Sequence, residues 1–252
     1  LIARDAPVAV LFRRGPSRRV RLILWNLETD RLEPGQWFRG RVYERRADLS
    51  ADGKHLIYFA ASFRKPYYSW TAISRAPYFT ALALWPKGDC WGGGGLFQKR
   101  DIQLNHRPSP PKGSIAPDEM KLAEGFRLGK AHHIVPFGEH SGGGEDDPIR
   151  TKPAARRPEG HFSFWNDKPF IAQKPLGGSS ASETRLLQLV MHGHGEKNGP
   201  WNVETAEIVD SNGALLFDFG RIDWIEKDHG DDVVFAQNGC VYRLKAPAQA
   251  DL

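Results

Sequence analysis

Short apolar runs punctuated by polar turns set the rhythm of this chain. Pro7-Val8-Ala9-Val10-Leu11-Phe12 closes at Arg13-Arg14-Gly15-Pro16, Val20–Asn26 follows, and a polar turn from Leu27 to Gly35 precedes Gln36-Trp37-Phe38. Runs of about four to eight residues bounded by glycine, proline, asparagine or aspartate have the length of strands and fall short of helices. The clearest signal is Asp48–Ala61, where Asp52-Gly53 offers a positive-φ pair between polar residues and the apolar run Leu56-Ile57-Tyr58-Phe59-Ala60-Ala61. That arrangement predicts a hairpin. Thr80–Trp85 predicts another strand, His161–Trp165 alternates as a strand should, and Lys168–Ala172 follows it. Leu186–Met191 fits a buried strand or a short helix. From Ala206 onward four strands are predicted, with turns at Asn212-Gly213 and Asn238-Gly239.

Composition agrees with the pattern. In 252 residues there are 26 glycines, 18 prolines and 8 tryptophans but only 2 methionines, which favours strands joined by tight turns over long helices. The expected fold class is therefore all-β. Residues 106–160 interrupt the rhythm with eight prolines among glycines and charges, and they read as a Pro/Gly-rich excursion with one short helical candidate, Pro117–Glu124.

The string Leu49-Ser50-Ala51-Asp52-Gly53-Lys54-His55-Leu56-Ile57-Tyr58 resembles the Ser-Pro-Asp-Gly-Lys repeat in blades of TolB-like β-propellers, with Ala51 in place of the proline. Trp25–Asp30 looks like the turn of a neighbouring hairpin, and Val209–Phe217 echoes the pattern with Asn212-Gly213. The resemblance implies one domain over residues 1–252, a small propeller of about five blades in which 106–160 is inserted. It also implies a closing strand, for which Pro7–Phe12 is available. Trp25, Trp37 and Trp224 are expected to be largely buried in such a fold.

Charge narrows the partners. The net charge is +5, and residues 1–50 alone hold eleven arginines against six acidic residues. Such a face suits a solvated sheet surface, or contact with nucleic acid or an acidic partner. Cys90 and Cys240 have no zinc-type spacing, no apolar run reaches the length of a membrane span, and the first five residues lack a signal-peptide pattern. A cytoplasmic location is the expectation, with leader removal left open because the first residue is not Met, and no membrane partner is expected.

Chemistry offers less. His192-Gly193-His194 on a strand would turn two imidazoles to one face, with Glu196 beside them as a third metal ligand, yet the wider signatures of zinc hydrolases are missing. His140–Asp147 is a second acidic and imidazole-rich stretch. Asp48, Asp146, Glu196 and Asp223 are the carboxylates a glycan-acting hydrolase would draw on, since such enzymes use a separated pair. No cofactor signature is present: the four glycines Gly92–Gly95 lack the lysine or following helix of a phosphate loop, and close packing of backbone or tryptophan is the expected reason for them. Eight aromatic residues lie between Phe63 and Trp91, and Tyr67, Tyr68 and Trp91 are the ligand-facing candidates. The resulting expectation is a non-catalytic protein that presents a surface to a protein partner, with a metal- or carboxylate-dependent hydrolase and a nucleic-acid-binding module through the basic first 50 residues as alternatives.

Overall fold

The computed structural model describes residues 1–98, 101–106, 127–128, 170–177, 185–194 and 202–245. The chain divides into two compact units, Leu1–Gly144 and Glu145–Leu252. Among the described residues the regular structure is strand, in several largely antiparallel sheets, apart from one 3-10 turn at Glu44–Arg46. The all-β expectation holds. The excursion 106–160, its helical candidate, the strand at His161–Trp165 and the His140–Asp147 stretch lie almost wholly outside the described residues.

The first unit opens with β1 (Val8–Gly15), β2 (Arg19–Asn26) and β3 (Leu32–Arg39), paired antiparallel in that order. Alternation along these strands sends Val10, Val20 and Leu22 into the core, with Phe12, Leu24 and Phe38 packed against them. Strand β3 begins at Leu32, inside the stretch that the sequence marks as a turn. A register shift between Arg21 and Ile23 sets Pro34 opposite Ile23, so a residue without an N–H is accommodated in the ladder. Leu1–Ala3 turns back along β1: Ile2 bridges Ala9, and the Val10 N–H donates to Leu1 O at 2.8 Å. Over Val8–Val10 the edge proposed for ring closure is thus already occupied by the chain's own first residues.

A second sheet runs through β4 (Arg41–Val42), β5 (Asp48–Leu49), β6 (His55–Ala61), β7 (Ser69–Arg75) and β8 (Ala81–Pro86), with β4 and β5 both pairing with β6. The continuous apolar run of β6 has a physical reason. Leu56, Tyr58 and Ala60 face the core shared with β1–β3, while Ile57 faces a second core with Ile73, Ala83, Trp85, Phe97 and Ile102. A strand packed on both faces loses the polar alternation of a half-exposed one. The second core is completed by β9 (Gly95–Gln98) and β10 (Asp101–Leu104), with the short β11 (Arg127–Leu128) parallel to β10. The hairpin at Asp52-Gly53 forms as predicted, though only Gly53 takes positive φ, +74°. Asp52 contributes as an acceptor instead, its Oδ1 taking Ser50 Oγ–H at 2.6 Å and Lys54 N–H at 3.1 Å.

The second unit contains β12 (Phe170–Leu176), β13 (Arg185–His194), β14 (Asn202–Val209) and β15 (Leu215–Arg221) in sequential antiparallel order. A three-stranded sheet follows, β16 (Trp224–Lys227), β17 (Val233–Gln237) and β18 (Cys240–Leu244). Leu186–Met191 is strand, which resolves the strand-or-helix ambiguity of the sequence. Leu187, Leu189, Ala206, Ile208 and Phe219 from the first sheet and Ile225 and Val233 from the second form one core. The Asn238-Gly239 turn has both residues at positive φ, +53° and +77°, the two-residue hairpin its sequence predicts. Arg243 ties this hairpin down by pairing with the buried carboxylates of Asp228 and Asp232.

The tryptophans sort differently from expectation. Trp25 is buried, its Nε1–H donating to Asp30 Oδ1 at 3.0 Å, but Trp224 is only partly buried and Trp37 is 44 % exposed. Trp37 lies directly opposite Arg21 on the face of β1–β3 that turns away from the core, which is why alternation does not bury it. Trp37→Ala is therefore expected to cost less than about 1 kcal/mol in a urea titration, far below the range for a buried aromatic.

Candidate functional site

The loops β6–β7 and β8–β9 emerge at the same end of the second sheet, because Trp70 at the start of β7 pairs with Pro86 at the end of β8. Buried Ser69 joins them: its carbonyl accepts the Lys87 N–H at 2.9 Å, and its hydroxyl donates to Asp89 O. Three residues singled out in the sequence, Tyr67, Tyr68 and Trp91, lie on these two loops. Tyr68 is 44 % exposed and meets Phe63 edge-on at 5.3 Å between ring centroids, Tyr67 is partly buried, and Trp91 is 86 % exposed.

An indole so exposed usually sits on a mobile loop, but this one stands on a fixed base. The Arg46 guanidinium donates from one nitrogen to Cys90 O at 2.9 Å and to Gly92 O at 2.5 Å, gripping the backbone on both sides of Trp91. Asp89 Oδ1 accepts the Trp91 N–H at 2.8 Å and the Lys87 ammonium at 2.7 Å. Although burial pushes the Asp89 carboxyl up, these bonds prevail and hold it below the usual carboxylate range. Arg46 is in turn stacked over the Tyr43 and Phe59 rings at 4.7 and 5.4 Å. Burial draws the Arg46 guanidinium down, and burial followed by the neighbouring Cys90 thiol pushes the Tyr43 phenol up to about 12.

The glycines behind Trp91 lock the base into the core. Gly92, Gly93 and Gly94 all have positive φ. A Cβ on Gly93 would lie 2.2 Å from the Phe59 ring, one on Gly94 1.8 Å from Arg46 O, and one on Gly95 2.3 Å from Gln103 O. Close packing is therefore the reason for the glycine tract, against backbone and phenylalanine rather than tryptophan. The Gly94 N–H donates to buried Thr71 Oγ1 at 2.8 Å, Asn105 N–H donates to Gly94 O at 2.9 Å, and His106 Nε2 lies 2.9 Å from the same threonine hydroxyl. Beneath them Asp48 is fully buried and accepts the Leu49 and Phe97 N–H groups at 2.9 and 2.7 Å. Its position corrects the reading of Asp48 as a hydrolase carboxylate: both oxygens are occupied by backbone, away from solvent.

Of the proposed metal ligands His192, His194 and Glu196, only His192 has its side chain among the described residues. His192 is exposed on β13, its Nε2 2.8 Å from Thr205 Oγ1. The pairing of β13 with β14 carries a register shift between Met191 and Gly193. Glu196 and Asp146 lie outside the described residues, and Asp223 is exposed. Among the described residues no group of three or more His, Cys, Asp or Glu side chains is arranged to hold a metal ion, and no helix is long and apolar enough to cross a membrane.

Arg46, Thr71 and Asp89 were invisible to sequence reasoning. Arg46 is one of eleven arginines in the first 50 residues, and nothing local distinguishes it from those that face solvent. The usable clue was the glycine tract, which demands a close neighbour without naming it.

In comparison with known proteins, no family model matches the chain and no curated protein matches it in sequence.

Proposed function

We propose that this chain is a β-propeller-like protein of about five blades that presents a surface to a protein partner, and that Trp91, with Tyr68 and Phe63 on the adjoining loop, is the centre of that surface. The observation that carries the reading is the pairing of extreme exposure with a rigid base: Trp91 is 86 % exposed while the carbonyls on both sides of it are held by one guanidinium. Tryptophan and tyrosine dominate the energetics of protein interfaces, and an anchor that is already ordered loses little conformational entropy on binding. The blade reading is supported by sheets of three and four strands in sequential antiparallel order, and by the burial of β6 on both faces between neighbouring sheets.

A photo-crosslinking amino acid at position 91, compared with the same group at exposed Arg31 on the β2–β3 turn, tests this in cells. The expected result is a discrete protein adduct from position 91 that is missing from position 31 and is weakened by Tyr68→Ala. Equal adduct patterns at both positions, or no protein adduct at 91, would overturn the proposal.

A further inference from the structure

We infer that the outward face of β1–β2–β3 binds a single-stranded polynucleotide, with a base stacked on Trp37 and backbone phosphates held by Arg13, Arg19 and Arg39. The strand register builds this face. Arg13, Arg21 and Trp37 lie directly opposite one another across the three strands, and Gly15, Arg19 and Arg39 form the next row. Directly opposed residues share a face of a sheet, as do residues two apart on one strand, so the two rows make one continuous patch. Five of its six positions are arginine or tryptophan, and none is acidic.

The indole is placed as a platform. Trp37 is on β3, yet its ring edge reaches over Gly15 on β1, where a Cβ would come within 3.0 Å of it. The ring therefore lies along the sheet across β2 instead of standing away from it, and it keeps 44 % of its surface open. Arg21 is set against the ring at 5.5 Å and donates to Gly35 O at 3.1 Å, which fixes both. The flanking cations are available: Arg14 is paired with Glu44, whereas Arg13, Arg19 and Arg39 are exposed and have no ion pair among the described residues. A flat, open aromatic ring flanked by exposed guanidiniums matches the chemistry of a single strand, whose bases offer free π-faces and whose phosphates repeat along the chain. A ring laid flat along the sheet offers a face to stack on rather than a projecting side chain to fill a pocket in an acidic protein, and a duplex would keep its bases stacked on each other.

The test is fluorescence anisotropy with labelled oligo-thymidylate of about twelve nucleotides, a length within the usual site size for single-strand binders. Three phosphate contacts predict affinity falling about 20-fold between about 50 and about 200 mM salt. The combined Arg13→Gln, Arg19→Gln, Arg39→Gln variant should lose most of that salt dependence, and Trp37→Ala should bind about tenfold more weakly. Both variants change exposed side chains, and an unaltered circular dichroism spectrum checks that they fold. Equal binding by the triple variant, no effect of Trp37→Ala, or binding of poly-glutamate or duplex DNA as tight as that of the single strand would each overturn the inference.

Discussion

Gly94→Ala is expected to destabilise the protein by about 5 kcal/mol, while Gly88→Ala, six residues earlier in the same loop, costs about 1 kcal/mol. Both glycines have positive φ, +79° and +87°, so the backbone penalty of adding a Cβ is similar at the two positions. Their surroundings differ completely. Nothing lies within 4 Å of a Cβ on Gly88, whereas a Cβ on Gly94 would sit 1.8 Å from Arg46 O and 2.8 Å from Arg46 C. Those are main-chain atoms of the turn that carries the clamp, so relief requires moving the backbone and not a flexible side-chain tip. Urea midpoints of the two variants at equal slope measure the difference. Similar losses at both sites would show that the tract is there for backbone conformation alone, with no tight contact behind Trp91.

Asp48→Ala is expected to cost on the order of 3 kcal/mol, because it leaves the buried N–H groups of Leu49 and Phe97 without an acceptor. Asp48→Asn restores one acceptor but turns an NH2 toward the other N–H, so it recovers only part of the loss. The pH dependence carries the stronger signature. Burial pushes the Asp48 carboxyl up to about 6, outweighing the two backbone hydrogen bonds and the attraction of Arg4 that pull it down. A carboxyl raised in the folded state holds its proton there at pH values where the unfolded chain has released it. The folded protein thus binds the extra proton between about pH 4 and about pH 6, and this contribution to stability is present below that window and is lost as the pH rises through it. From an ordinary aspartate value near 3.8 to about 6, the loss amounts to roughly 3 kcal/mol. The stability advantage of the parent over Asp48→Asn should accordingly shrink between pH 4 and pH 7. An advantage that grew with pH would mean that Asp48 is held as a stabilised anion, as surface-paired carboxylates are.

Much of the fold was legible because β structure writes its period into the sequence. The Asp52-Gly53 and Asn238-Gly239 turns, the run Leu56–Ala61 and the closing hairpin were all readable from turn chemistry and run length. Where the reading slipped, a non-local effect had overridden a local one. Leu32–Gly35 looks like turn because it is polar and carries Pro34, but a bulge in β3, where Pro34 to Trp37 opposes the shorter stretch Arg21 to Ile23 of β2, makes room for it in the ladder. Trp37 looks like core by residue type, yet its register sets it beside Arg21 on the outer face. The site was less legible still. Trp91, Tyr67 and Tyr68 could be picked out as aromatic, but their convergence at one sheet end depends on the pairing of β7 with β8, and the Arg46 clamp on a contact 44 residues distant in sequence. Spacing and composition do not encode such contacts.

The central claim is that Trp91 stands on a rigid base, and amide hydrogen exchange across Cys90–Leu96 tests it most directly. Gly94 N–H is bonded to a buried threonine hydroxyl and Gly93 N–H to Asn105 O, so both should exchange only on the timescale of global opening, even though they lie within three residues of the exposed Trp91. In the Arg46→Ala variant, which loses charge-assisted bonds to Cys90 O and Gly92 O, exchange at Gly93 should accelerate by about tenfold or more relative to the amide of Leu22 in the neighbouring sheet. Exchange of Gly93 and Gly94 at unprotected loop rates in the parent protein would contradict the account.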